Sequence, residues 1–302
     1  MNIVISGSSG LIGSALTVFF RDQGHIVKRL VRKKGGLAHD EIAWDPEAGT
    51  IDAAGLEHTD VWINLAGENI AHGRWNDVKK KKILNSRIKS TKLLSDTINR
   101  LKSPPSVWIN ASAVGYYGNE GDKLLDEQSP LGSNYLSKVC KEWEDTVQAP
   151  ASVRTVFTRF GVVLTPKGGA LKQLMLPFRL GFGGALGSGK QYMSWITLQD
   201  LVLAIAFIID NPSLKGPVNL VTPFPVTNQE FTTILGRVLN RPTIFAMPAF
   251  AARLIFGEMA EELLLSSTKV NPKKLVEAAF PYTHPHLEEA LTALMEENVK
   301  VS

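Results

Sequence analysis

Ile3-Val4-Ile5-Ser6-Gly7-Ser8-Ser9-Gly10-Leu11-Ile12-Gly13 is the stretch of sequence that decides the fold. Its first three residues are apolar and β-branched, as in a strand that is buried on both faces of a parallel sheet. From Leu11 onward the apolar residues are spaced as on one face of a helix. A glycine-rich turn between such a strand and such a helix directs backbone N–H groups and the positive end of the helix dipole at one point, which suits a pyrophosphate.

The glycines of this turn follow an uncommon spacing. Gly7, Gly10 and Gly13 are each three residues apart, whereas the common dinucleotide fingerprint separates its glycines by two and then three residues. This spacing resembles the turn of the extended short-chain dehydrogenase/reductase family. The resemblance implies cofactor contacts along the whole turn, from Gly7 and Ser8 through Ser9, Gly10, Leu11 and Ile12 to Gly13. The alternative is a plain tight connection between a strand and a helix.

Composition limits the classes of protein that the chain can represent. Its 302 residues are enough for a full α/β core and a second, smaller unit. The net charge of +4 suits an anionic ligand but is too diffuse to indicate nucleic acid. A single cysteine, Cys140, excludes an internal disulfide and indicates a reducing compartment. Because no leader pattern and no apolar run of membrane-spanning length is found, we expect a cytoplasmic protein with no membrane partner.

The second predicted strand, residues 26–31, bears on the choice of cofactor because it ends in Arg32 and Lys33. In a doubly wound sheet this strand end meets the adenosine ribose. An acidic residue there accepts from the 2′-hydroxyl group of NAD, whereas arginine suits the 2′-phosphate group of NADP. The sequence therefore favours NADP(H), with Arg32 and Lys33 at the phosphate. The alternative is a solvated basic strand end.

A later strand, residues 61–67, ends in small residues that allow a ligand to approach the backbone closely. Leu65, Ala66, Gly67 and Glu68 resemble the family's motif after this strand, and the resemblance implies that they flank the cofactor. The basic helix that follows, residues 76–101, is expected to have one buried apolar face and a solvated lysine-rich face.

Candidate catalytic residues follow the next predicted strand, residues 107–111. Ser112 stands at its carboxyl end, where open α/β sheets place their chemistry. Tyr116 and Tyr117 belong to a turn that resembles the small-residue, Tyr-Gly turn of the family. Counted back from this turn, however, the family's serine or threonine position holds Ala113 rather than Ser112.

A broken motif opens the next helix, which has a clear amphipathic stripe. Active members of the family carry Tyr-x-x-x-Lys here, so that the lysine lowers the pKa of the tyrosine and holds the ribose. In this chain Lys138 takes the lysine position, and Asn134 rather than Tyr135 stands four residues before it. Tyr135 is then rotated by about 100° from the usual donor position, off the cofactor and toward the core. Tyr116 or Tyr117, assisted by Ser112, becomes the expected proton donor.

The chain is predicted to form two units. Residues 1–165 and 190–222 are expected to form a doubly wound parallel α/β sheet, the NADP-binding Rossmann domain. Residues 166–189, as a glycine-rich flap, and residues 223–302, as mainly helices, are expected to cover the carboxyl edge of that sheet. His284 and His286 lack a cysteine or acidic companion, so no metal site is predicted.

Taken whole, the chain resembles an atypical subgroup of the family that is described as nucleoside-diphosphate-sugar epimerase-like and has an uncharacterised C-terminal helical domain. The segments that carry the resemblance are 7–13, 64–68, 74–75, 115–118, 138–144, 187–189 and 194–200. It implies an NADP-dependent oxidoreductase or epimerase-like enzyme for a small molecule, such as a nucleotide sugar or another carbonyl or hydroxyl compound. The alternative is a regulatory or scaffold protein that binds NADP with little or no catalysis. The oligomeric state is left open.

Overall fold

The computed structural model describes residues 1–33, 35–71 and 73–296, and the backbone of residues 297–301. The strands are β1 (Asn2–Ser6), β2 (Ile26–Val31), β3 (Glu41–Asp45), β4 (Thr50–Ile51), β5 (Val61–Asn64), β6 (Val107–Ala113), β7 (Leu124–Leu125), β8 (Arg154–Phe160), β9 (Val162–Leu164), β10 (Tyr192–Met193), β11 (Trp195–Thr197), β12 (Gly216–Leu220), β13 (Val226–Thr227) and β14 (Lys269–Val270). The helices are α1 (Leu11–Asp22), α2 (Asp77–Ile98), α3 (Tyr135–Asp145), α4 (Gly169–Arg179), α5 (Leu198–Asp210), α6 (Asn228–Val238), α7 (Ala249–Phe256), α8 (Lys273–Glu277) and α9 (Leu287–Val301).

An eight-stranded sheet in the order β12-β8-β6-β5-β1-β2-β3-β4 forms the centre of the molecule. All neighbours in it are parallel except β4, which pairs antiparallel with β3 at one edge. The chain steps from β1 outward to β2 in one direction and to β5 in the other. The crevice at the carboxyl ends of β1 and β5 is therefore the switch point where doubly wound sheets bind ligands. The prediction of a doubly wound parallel sheet is confirmed.

The apolar run of β1 is buried on both faces, as its composition predicts. Ile3 and Ile5 pack with α1 and α5 on one face of the sheet. Val4 faces the other way, into a core that includes Trp62, Trp108 and apolar residues of α2. None of these three β1 side chains is more than 1% exposed.

A separate core joins α4, α6 and α9 with Leu164 of β9 and Trp195 of β11. Its members include Leu171, Met175 and Phe178 of α4, which are spaced by four and three residues and so share one helix face. This helix corrects the expectation of a flap over residues 166–189: residues 169–179 are helical despite Pro177, and residues 166–168 before them and the glycine-rich part after them are irregular.

The largely apolar stretch of residues 154–164 predicts a single strand, which in the structure is interrupted at Gly161. A Cβ atom at Gly161 would lie 2.6 Å from the carbonyl oxygen of Ser194, so only glycine allows this approach of the two backbones. After the interruption, β9 leaves the central sheet and pairs with β11.

Two pairs of hydrogen bonds join residues 223–302 to α3 and α5. Both carboxylate oxygens of Glu262 accept hydrogen bonds at the N-terminus of α3, from the backbone nitrogens of Tyr135 (3.2 Å) and Leu136 (3.0 Å). In the opposite direction, the buried carboxylate of Asp200 on α5 accepts from the backbone nitrogens of Thr283 (2.8 Å) and His284 (3.0 Å). None of the helices in the described part of the chain combines the length and apolar character that a bilayer crossing requires.

Candidate cofactor and active site

The glycine turn after β1 is built for close backbone approach. Gly7 has a φ of 67°, and a Cβ atom on it would lie 2.8 Å from the carbonyl oxygen of Leu65. A Cβ atom on Gly13 would lie 2.3 Å from the carbonyl oxygen of Gly7. The helix α1 that begins here has no side-chain cap among the described residues. The N–H groups of its first turn are therefore free to bind an anion.

A buried polar network holds the strand ends around this turn. The Ser6 hydroxyl donates to Oδ1 of Asn64 (2.6 Å), and the backbone nitrogen of Leu65 donates to the Ser6 hydroxyl (3.1 Å). The Asn64 amide donates to Oδ1 of Asn110 (2.7 Å). These bonds tie β1, β5 and β6 together at their carboxyl ends, and so they position Leu65 and the adjoining Ala66 beside the turn.

The side chain of Glu68 is engaged by α2. Its carboxylate pairs with Lys79 (2.7 Å) and Lys82 (3.3 Å), and these ammonium groups lower the pKa of Glu68 below its usual range. The backbone of Glu68 also contacts α2, because its nitrogen donates to the Ser86 hydroxyl (2.9 Å), and the cofactor contact of Gly67 and Glu68 stays a prediction.

Arg87 is a candidate site residue that the sequence reasoning missed. Its guanidinium group donates to the carbonyl oxygens of Glu68 (3.2 Å) and Ile83 (2.9 Å), and its Cζ atom is 3.2 Å from where a Cβ atom of Gly67 would lie. It stacks over the ring of Trp143 at 5.0 Å and has no carboxylate partner among the described residues. The signal was present in the sequence, because Arg87 follows the buried Ile83 by four residues and thus falls on the apolar face of α2.

Arg32 and Lys33 lie beyond the end of β2, and both side chains are exposed. They line a cavity of about 250 Å³ together with the β3–β4 hairpin, including Trp44 and Asp52. Lys33 Nζ donates to the carbonyl oxygen of Gly36 (2.5 Å). Arg32 and Lys33 thus lie together beside the β3–β4 hairpin, and their contact with a 2′-phosphate stays a prediction.

The face of α3 that looks at the end of β6 carries an apolar pair. A Cβ atom on Gly115 would lie 3.4 Å from Cβ of Leu136 and 4.0 Å from Sγ of Cys140. Leu136 and Cys140, at i and i+4, therefore share the buried face of α3 that packs beside Gly115. Burial raises the pKa of Cys140 to about 11, so its thiol stays neutral and does not replace a lysine.

Lys138 lies on the opposite side of α3 and is exposed. It is two residues from both Leu136 and Cys140, a rotation of about 200° around the helix. The predicted contact of Lys138 with the cofactor ribose stays a prediction. Burial of the apolar stripe determines which side of α3 faces the sheet.

Tyr135 points toward α2 and away from the crevice, in the direction expected from the displaced motif. Its hydroxyl donates to the carbonyl oxygen of Lys80 (2.6 Å), and its ring packs edge-on against Trp75. Burial raises the pKa of Tyr135 to about 12. A tyrosine that acts as an acid and base near neutral pH needs a shift in the other direction.

Ser112 and Tyr117 belong to a buried network around an ion pair. Arg159 and Glu144 form two parallel hydrogen bonds (2.9 and 2.8 Å), and Ser112 donates to the same carboxylate (2.6 Å). The Tyr117 hydroxyl accepts from Arg159 (3.0 Å) and donates to Asn219 (2.7 Å), and burial raises the pKa of Tyr117 to about 12. Both hydroxyls are thus used inside the protein. Arg159 is a charged residue inside the predicted strand 154–164, and this was the sequence signal for the network.

Tyr116 differs from the other hydroxyl candidates. Its ring covers the guanidinium group of Arg159, with Cζ 3.4 Å from the ring centroid, and the side chain is half-buried. Its hydroxyl group has no hydrogen-bond partner among the residues that the structure describes. Of the predicted donors, only Tyr116 could offer its proton without giving up a bond within the protein.

Comparisons with known proteins agree with this architecture. The family model described as "NAD dependent epimerase/dehydratase family" matches residues 3–220, and a domain of unknown function, DUF1731, matches residues 247–294. Epimerase family protein Mb2239 of Mycobacterium bovis is 46% identical over 292 residues, 96% of this chain and 96% of that protein. The human epimerase family protein SDR39U1 is 36% identical over 299 residues, 98% of this chain and 100% of the human protein.

Solved structures extend the likeness to three dimensions. The crystal structure of human SDR39U1 (isoform 2) with NADPH has a TM-score of 0.91 and 35% identity, covering 98% of this chain and 99% of that chain. UDP-glucuronic acid 4-epimerase from Bacillus cereus, in complex with NAD, has a TM-score of 0.75 at 16% identity, covering 97% of this chain and 94% of that chain, which shows a common fold alone. By sequence and by fold, this chain belongs to the NAD-dependent epimerase/dehydratase family.

Proposed function

We propose that this protein binds NADP(H) in the crevice between β1 and β5. The carrying observation is the turn from Gly7 to Gly13, where any side chain at either glycine would collide with backbone, next to an uncapped helix N-terminus. This cradle fits a pyrophosphate, and the cations Arg32 and Lys33 at the end of β2 fit a 2′-phosphate. The NADPH complex of human SDR39U1 supports the same choice of cofactor.

We further propose that the protein is an NADP(H)-dependent oxidoreductase or epimerase-like enzyme for a small carbonyl or hydroxyl compound. The bound nicotinamide supplies or accepts the hydride in such reactions. What this chain's residues contribute is the position of the cofactor and a proton at the substrate oxygen. Tyr116 is the proposed donor because its hydroxyl is not engaged by another described residue. Ser112 and Tyr117 hold Arg159 and Glu144 in place beneath it.

A second candidate function is a protein that binds NADP(H) with little or no turnover. The displaced motif favours it, because Asn134 stands four residues before Lys138 and the Tyr135 hydroxyl donates to the carbonyl oxygen of Lys80. Activity separates the two candidates. NADPH consumption and epimerisation can be screened over carbonyl compounds and nucleotide sugars, and a negative result in the whole screen supports the binding protein.

Tyr135→Phe is expected to leave both NADPH affinity and turnover within about twofold of the unmodified protein. Its hydroxyl bonds to the Lys80 carbonyl and faces α2, so its loss removes about 1 kcal/mol of stability and no catalytic group.

Tyr116→Phe is expected to lower kcat by about 10²–10⁴-fold with NADPH binding unchanged, the usual loss for a general acid. Fluorescence titration of NADPH and steady-state kinetics on a substrate from the screen provide the two readouts.

Tyr117→Phe is the matched control for this comparison, because it removes a hydroxyl from the neighbouring, fully buried ring. We expect it to lower the midpoint of thermal unfolding and to leave kcat nearly unchanged. Loss of turnover in Tyr135→Phe, with activity retained in Tyr116→Phe, would show that the helix start rearranges to restore the family's motif and would refute the proposed donor.

Arg87→Met is expected to weaken binding of NADPH and NADH alike, by about tenfold to a hundredfold. The half-buried guanidinium beside Gly67 has no carboxylate partner in the described chain, and a charge-assisted bond to a ligand contributes about 1.5–3 kcal/mol. Lys89→Met, two residues further along α2 and exposed, is the control. If Arg87→Met changes only the NADPH affinity, then Arg87 binds the 2′-phosphate and our assignment of that group to Arg32 fails.

A further inference from the structure

An exposed apolar surface lies on the second unit, away from the glycine turn. We define the apolar patch as the eight large side chains there that are more than half exposed: Leu176, Leu180, Phe182, Ile244, Phe245, Phe250, Leu254 and Ile255. They come from the end of α4 and the loop after it, from the segment before α7, and from α7 itself.

Backbone contacts join these segments into one surface. The backbone nitrogen of Phe245 donates to the carbonyl oxygen of Gly183 (3.2 Å), and the backbone nitrogen of Met247 donates to the carbonyl oxygen of Ala185 (2.8 Å). The rings of Phe182 and Phe245 lie 5.8 Å apart. Helix α7 starts two residues after Met247, where a Cβ atom on Gly187 would lie 3.7 Å from Cβ of Ala249. The patch is therefore continuous from α4 to α7.

The elements that carry the patch are firmly anchored from behind. Helix α4 buries Met175 and Phe178 on its inner face, and α7 buries Ala252. The outer faces of the same helices carry Leu176 and Leu180, and Phe250 and Leu254, both pairs at i and i+4. The exposure of the patch is thus a property of folded helix faces. Contiguous apolar surface of this kind usually marks an interaction site.

The chemistry around the patch identifies its partner. Residues 166–190 and 231–257, which carry the patch, contain seven Lys and Arg residues and no Asp or Glu. Of these cations, only Arg237 and Arg253 have carboxylate partners in the part of the chain that the structure describes, Glu288 and Glu261. Lys172 and Arg179 stand among the leucines on the outer face of α4. Symmetric pairing with a second copy would place these cations against one another, which is unfavourable.

We propose that the apolar patch docks on an anionic lipid surface. Leu and Phe side chains on such a face insert at the boundary of headgroups and acyl chains, and the surrounding Lys and Arg residues pair with anionic headgroups. The glycine turn lies beyond the first turn of α4, beside Gly168, about one helix length from the patch. The crevice therefore stays open while the patch is docked.

Co-sedimentation with vesicles of equimolar phosphatidylcholine and phosphatidylserine tests the proposal. Phe250→Ser/Leu254→Ser is expected to weaken binding by about a hundredfold, because two large apolar side chains no longer insert. Lys172→Gln/Arg179→Gln is expected to weaken it by about thirtyfold, since each cation near an anionic surface contributes about fivefold. Pure phosphatidylcholine vesicles should bind weakly, and added salt should release the protein.

Matched control variants remove similar groups elsewhere on the surface. Val18→Ser/Ile26→Ser removes two exposed apolar side chains of the Rossmann unit, and Lys102→Gln removes an exposed cation. Both should bind vesicles like the unmodified protein, and circular dichroism should show that every variant is folded. Absence of vesicle binding by the unmodified protein overturns the proposal. So does a concentration-dependent dimer that only the Phe250→Ser/Leu254→Ser variant abolishes, which would make the patch an interface between copies.

Discussion

Arg32→Asp should lower the affinity for NADPH by two to three orders of magnitude and leave the affinity for NADH almost unchanged. The side chain is exposed at the end of β2, beside the cavity that the β3–β4 hairpin closes. A charge-assisted bond to a phosphate contributes about 1.5–3 kcal/mol, and a carboxylate in its place adds repulsion, for a total of about 3–4 kcal/mol. Titration of both nucleotides into both proteins measures the difference.

A control variant must change the charge by the same amount elsewhere. Lys102→Asp does so at an exposed position after α2, and it should bind both nucleotides like the unmodified protein. The expected preference should also weaken as salt is added, because the contact is exposed. Equal affinities of the unmodified protein for NADPH and NADH would refute the assignment of Arg32 to the 2′-phosphate.

Glu144→Leu should destabilise the protein by about 3–5 kcal/mol, because it leaves the guanidinium of Arg159 buried without its carboxylate. The pair is nearly inaccessible to solvent, with Arg159 only 3% and Glu144 9% exposed, and Ser112 loses its acceptor in the same change. Urea denaturation, with the midpoint and slope both fitted, gives the free energy of unfolding.

Asp145→Leu is the matched control, since Asp145 is the next residue of α3 and forms an exposed ion pair with Lys141. It should change the free energy of unfolding by no more than about 0.5 kcal/mol. The double variant Glu144→Leu/Arg159→Met removes both charges and should be more stable than Glu144→Leu alone. A cost below about 1 kcal/mol for Glu144→Leu would contradict the view that this ion pair is isolated from water.

The parts of the fold that the sequence predicts correctly depend on local signals. The strand, turn and helix of residues 2–22 follow from three β-branched residues, three glycines and a helical apolar stripe. Helix α4 was missed because its glycines and Pro177 argue against regular structure. Its stability comes from α6 and α9, which lie far along the chain and carry no local signal at α4.

In the candidate site, too, local signals predict some features, and contacts between distant residues determine the others. The position of the glycine turn could be predicted, because strand, turn and helix are contiguous. The orientation of α3 could not be derived from Lys138, because counting from a motif says nothing about which face is buried. The pairing of Arg159 with Glu144 could not be predicted either, because it links residues of β8 and α3 that meet only in the folded chain.

Each of two segments of the chain contributes a carboxylate that binds backbone N–H groups of the other, and these contacts bear on how the molecule folds. Glu262 of the C-terminal unit completes the start of α3, and Asp200 of the Rossmann unit binds the backbone at Thr283 and His284. If either unit came apart alone, the other would be left with helix-end N–H groups or a buried carboxylate lacking partners, at a cost of about 1–3 kcal/mol for each group. We therefore expect the two matched segments to unfold together, as one cooperative block.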